Sequence, residues 1–161
     1  MATAQRVNWI GIGKEAVVAG IAGGIFIDLY LFLTTVLPHH GSMFSVWQFI
    51  ASVAIGKVAF SSASYAWLGL LFHFIVSIGW AGGYAYLASR QRFMNQRWAI
   101  SGLVYGLVVY MFMQLILLGA NALKPPPTPN DFINALIAHC VFFGLPVGFV
   151  VAHLNRSPSA L

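Results

Sequence analysis

The sequence predicts an all-α fold: a four-transmembrane-helix bundle with an additional interfacial or re-entrant helix between the first two spans. Three observations lead there. Charged residues make up 7% of the 161-residue chain and hydrophobic residues 60%, whereas a soluble domain carries roughly 25% charge. Mean hydropathy is +0.83, more apolar surface than one water-soluble core of this size can hide. Four apolar stretches also reach the roughly 20 residues that cross a bilayer as a helix.

Span one covers about 15–37. Gly20 and Gly24 form a small-xxx-small pair that lets a neighbouring helix approach closely. Asp28 lies within the apolar run, and Pro38, His39 and His40 end it. The run is too long for the apolar core of a signal peptide, so it reads as a retained first helix. Residues 44–57 are apolar but too short to span. Ser45, Gln48, Ser52 and Gly56 make a weakly polar stripe at helical spacing, and Trp47 suits headgroup level. Span two covers about 65–89. His73, Ser77, Trp80 and Tyr84 are spaced i, i+4, i+7, i+11 and share one face. Span three covers about 98–121, with Gly102 and Gly106 repeating the small-residue spacing and Gln114 as an internal polar group. The run Lys124 to Pro129 reads as a stiff extended linker, and Asn130-Asp131 as a capping start. Span four covers about 132–154. It contains His139 and His153, and Pro146 is expected to kink it.

Orientation follows from the basic residues. With an even number of spans, Arg6, Lys14, Arg90, Arg92, Arg97 and Arg156 share one side, against Lys57 and Lys124 on the other. Both termini are therefore expected to be cytoplasmic. The net charge of +5 is scattered at span ends and forms no nucleic-acid stripe. A single cysteine, Cys140, excludes an intramolecular disulfide and paired-cysteine zinc sites. Gly11-Ile-Gly13-Lys14 lacks both the leading glycine and the Ser/Thr of a phosphate loop.

One constellation stands out. At 1.5 Å per residue, His73 lies roughly 12 Å, His139 and Gln114 roughly 10 Å, and Asp28 roughly 13 Å from the outer ends of their helices. Each span thus places one polar side chain at a similar level. The leading reading is a hydrogen-bonded layer of Asp28, His73, Gln114 and His139 that fixes helix pairing, with Ser77, Tyr84 and His153 secondary. A second reading is a proton-linked or small-solute pathway, or a pH sensor, using Asp28, His73 and His139. A third is a b-type haem held between His73 and His139, although no arginine lies near that level for propionates. No metal or cofactor is assigned. No carboxylate pair and no nucleophile–base set points to an enzyme. The expected partners are the bilayer and either a second copy or a larger membrane complex, not nucleic acid.

His73-Phe-Ile-Val-Ser77, Gly83-Tyr84-Ala-Tyr-Leu-Ala88, Gly102-Leu-Val-Tyr-Gly106 and Ala138-His139 resemble the YagU-like group of small bacterial inner-membrane proteins. The stretch Gln48-Phe-Ile-Ala-Ser52 to Gly56-Lys57 is similar to related bacterial sequences. The resemblance covers about residues 65–154. It implies a multi-pass protein of the bacterial cytoplasmic membrane and little chemistry. Asp28 lies outside it.

Overall fold

The computed structural model describes residues 8–122 and 128–156. Within them every regular element is helical. Helix α1 (Trp9–Leu31) starts before the expected Glu15, because the Asn8 side chain accepts from the Gly11 amide at 3.0 Å and caps an earlier turn. It continues through a π-helical turn, Phe32–Val36. Helix α2 (Met43–Ile55) is capped by Ser42 and followed by a 3₁₀ turn, Gly56–Phe60. Then come α3 (Tyr65–Arg90), a short α4 (Arg92–Gln96) inside the basic loop, and α5 (Trp98–Gly119). Helix α6 (Pro129–Ile137) leads into a π-helical stretch, Ala138–Gly144, and then α7 (Leu145–Arg156).

Two local features sharpen the sequence reading. The cap of α6 is Thr128, with Asp131 closing a capping box, and Pro129 is already the first helical residue. Proline is suited to that place because its missing N–H would have no partner there. The remainder of the proline run, 123–127, lies outside the described residues. Pro146, expected to kink span four, follows a π-helical stretch, and the helix continues through it. The π-helical stretch immediately before it absorbs the lost hydrogen bond and the ring's clash with the preceding turn.

Among the described residues five stretches are long and apolar enough to cross a membrane: Trp9–Val36, Met43–Phe60, Tyr65–Arg90, Trp98–Gly119 and Pro129–Asn155. Together they support a multi-pass membrane protein. The second arises because the 3₁₀ turn extends α2 to 18 residues at a hydropathy of 1.5.

Contacts between helices run in opposite numerical directions. On α1 and α3, Gly20 meets Ile78, Gly24 meets Phe74, and Ala16 meets Gly82. On α5 and the last helix, Gly102 meets Gly144 and Gly106 meets Cys140. On α1 and the last helix, Gly23 meets Phe143 and Glu15 meets Asn155. Helices α1, α3, α5 and the last helix therefore alternate in direction. One end gathers Glu15, Asn95 and Asn155, where the Asn155 amide donates to Glu15 Oε2 and Asn95 Oδ1, both at 3.4 Å. The opposite end carries the close of α1 and the starts of α3 and α6.

The interior is built largely of small residues, with Ala19, Ala81, Ala85 and Ala88 buried, and Val147, Val151 and Tyr84 filling the gaps. Large side chains such as Leu71, Val104 and Leu115 face outward. Water would penalise that arrangement. Lipid does not, and small interior residues let the helix backbones approach.

Candidate functional site: a polar contact among three helices

Gly24 and Asp28 are one turn apart on α1, so the Gly24 carbonyl and the Asp28 carboxylate lie on one face. His73 of α3 reaches both. Its Nε2 stands 3.1 Å from the Gly24 oxygen and 3.4 Å from Asp28 Oδ1. Both neighbours are acceptors, so Nε2 carries the proton. The single N–H bonds to the Gly24 carbonyl, and Asp28 Oδ1 stands beside it at ion-pair distance. Asp28 Oδ1 is buried and completes no hydrogen bond. The His73 and Asp28 side chains are 12% and 15% exposed.

The third member comes from α2. Trp47 Nε1 donates to Asp28 Oδ2 at 3.3 Å. Gly69 of α3 makes this possible: its missing side chain lets the α2 backbone at Trp47 and Ala51 lie directly on α3. Ala51 and Ala66 are fully buried at the same contact. Around it, Phe44, Trp47 and Trp67 have ring centroids 5.6–6.3 Å apart. The Gln48 amide donates to the carbonyls of Ala59 and Ser62 at 3.1 and 3.0 Å, folding the chain after α2 back onto it.

The other members of the sequence-derived layer make no hydrogen bond to this contact. His139 donates Nδ1–H to Ala135 of its own helix at 2.8 Å and packs edge-on to Tyr110 at 5.6 Å. Gln114 is partly exposed and makes no hydrogen bond among the described residues. Of the secondary residues, Ser77 is buried one turn beyond His73. Tyr84 is fully buried, with its ring 5.1 Å from Tyr105. Its hydroxyl faces Ser101, but neither group completes a hydrogen bond. His153 is exposed and bonds to the Phe149 carbonyl at 2.8 Å.

An acid–base pair with an indole donor can hold helices together or hold a proton. Among the described residues no hydroxyl or thiol hydrogen-bonds to either Asp28 or His73, and no three His, Cys, Asp or Glu side chains gather to hold a metal ion. His139 leaves Nε2 uncommitted, as an axial haem ligand would, but His73 directs its Nε2 at α1.

The sequence reading placed Trp47 at headgroup level and missed its bond to Asp28. A tryptophan on a short apolar helix carries no mark of the helix it will face. Gly69 was the available signal, since a lone glycine in an apolar span permits close backbone approach. In comparisons with known proteins, no family model, no curated protein and no solved structure matches this chain.

Proposed function

We propose that the chain is a four-span membrane protein with a non-enzymatic, structural or accessory role, in which Asp28, His73 and Trp47 clasp α1, α3 and α2. The carrying observation is that one carboxylate meets side chains from two other helices. The antiparallel register of α1 and α3 supports the span count. The close of α1 and the start of α3 lie at one end, so the segment 43–60 leaves and returns on the same side and acts as a re-entrant or interfacial helix. Arg90, Arg92, Arg97 and Lys14 lie at the opposite end, which supports a cytoplasmic location for that end. The resemblance to YagU-like proteins supports the bacterial inner membrane.

Labelling of single cysteines in a Cys140→Ala background tests the topology. His40→Cys and Ser62→Cys should react from one side and Asn95→Cys from the other. Opposite-side labelling of His40→Cys and Ser62→Cys would mean that 43–60 crosses, and the four-span reading fails. The clasp is tested by thermal unfolding in detergent. Asp28→Asn and His73→Ala should each lower the midpoint, and the double variant should fall short of their sum. Full additivity rejects the clasp.

A second reading rests on Asp28 Oδ1, which is buried beside His73 without a hydrogen bond. An ionisable pair at that depth suits a proton-linked or small-solute transporter, or a pH sensor. Proton flux in proteoliposomes should then drop in both Asp28→Asn and His73→Ala. Unchanged flux rejects this reading and leaves the clasp intact.

A further inference from the structure

At the end of the bundle away from the basic loop, α1 and α6 part around a cleft of about 480 Å³. Its walls include Tyr30, Thr34, Thr35, His39, Asp131 and Asn134. The polar side chains are already ordered. The Tyr30 hydroxyl donates to Asn134 Oδ1 at 2.5 Å, and the Asn134 amide donates to Thr35 Oγ1 at 3.3 Å. Thr34 donates to the Tyr30 carbonyl at 2.8 Å, and His39 Nδ1 donates to the Thr35 carbonyl at 2.9 Å. Asp131 commits Oδ2 to Thr128. What remains open is mostly acceptor capacity: His39 Nε2, Asp131 Oδ1 and the Thr34 oxygen, with the Thr35 hydroxyl as a donor. Both walls adjoin π-helical stretches, Phe32–Val36 and Ala138–Gly144, a distortion that recurs at functional sites.

We infer that this cleft binds a neutral, hydroxyl-rich group such as a polyol or sugar. Among the described residues no lysine or arginine lines it and one carboxylate does, which disfavours phosphate and other anions. The open acceptors call for a ligand rich in O–H donors, and Ile133 and Ile137 offer an apolar wall for its C–H face. The cleft lies at the limit of the apolar spans, so the group can belong to a water-soluble molecule or to a lipid headgroup.

Saturation-transfer NMR on the full chain in micelles, with myo-inositol, glucose, choline and inorganic phosphate as probes, tests this. Nanodiscs containing glucosyl-diacylglycerol form the lipid arm, read by native mass spectrometry. Binding of inositol or glucose supports a soluble source, and selective retention of the glycolipid supports a headgroup. In either case Thr35→Val and Asn134→Leu should weaken binding about fivefold, the loss expected for one hydrogen bond. Thr35→Ser should retain it, which separates loss of the hydroxyl from loss of the fold. Preference for choline or phosphate, binding by neither arm, or indifference to Thr35→Val overturns the inference.

Discussion

Where α5 meets the last helix, backbone lies on backbone. Gly102 and Gly144 face one another, and Gly106 sits against the carbonyl of His139. Where α1 meets α3, Gly20 and Gly24 also bring the helices close, but the contact ends in polar groups: Asp28, His73 and, from α2, Trp47. The first contact is filled by shape alone. The second is under-satisfied, with one N–H for two acceptors and a carboxylate oxygen left open. Bilayer lipid supplies no hydrophobic drive between helices, so pairing rests on close packing and on hydrogen bonds. Close packing has no slack. Hydrogen-bonded contacts can be rearranged, which suits a place where helices must be held in register or a proton accepted.

The largest effect should come from the packed contact. In Gly106→Val the added side chain meets the His139 carbonyl and Cys140 Cα, main-chain atoms that cannot swing aside. Unfolding in mixed micelles should show a loss of about 3 kcal/mol or more. A loss below about 1 kcal/mol would mean the helices separate easily, and the contrast would vanish. Next, Asp28→Ala removes the acceptor shared by His73 and Trp47, with an expected loss of about 1–2 kcal/mol. A stability equal to that of the native chain would show that the polar contact holds nothing. Trp47→Phe keeps the aromatic ring and deletes the donor. It should cost about 0.6 kcal/mol and raise hydrogen exchange in α2 while leaving α5 unchanged; equal exchange in both helices would detach α2 from the clasp. The smallest effect is a coupling. His73→Ala and His139→Ala should add within about 0.5 kcal/mol, since the two share no hydrogen bond. A larger coupling would restore the single four-helix layer inferred from depth.

The sequence legibly carried helix type and rough extent, because apolar run length and charge placement report directly on the bilayer. Tyr65–Arg90 and Trp98–Gly119 lie within a few residues of the expected spans. The small-xxx-small pairs were legible as contact faces but not as pairs of helices: Gly20 and Gly24 face α3, while Gly102 and Gly106 face the last helix. The polar layer was only partly legible. Depth is a one-dimensional quantity, and rise per residue gives it. Whether two residues at one depth touch depends on the rotation of each helix about its axis. Asp28 and His73 face one another, while His139 turns to Tyr110. The short α2 was hardest to place, since together with the 3₁₀ turn that follows it its apolar length of 18 residues sits at the lower limit for crossing.

Composition and hydropathy by themselves determined that this chain suits a membrane and that it is helical. Those properties are sums over residues, and transfer free energy from water to lipid is close to additive along a span. The tertiary structure alone decided that Trp47 would bond Asp28, that Gly69 would seat α2, and that Tyr30, Thr35 and Asn134 would frame a cleft. Those are properties of pairs of faces. They exist only once packing has set the rotation and register of each helix against its neighbour.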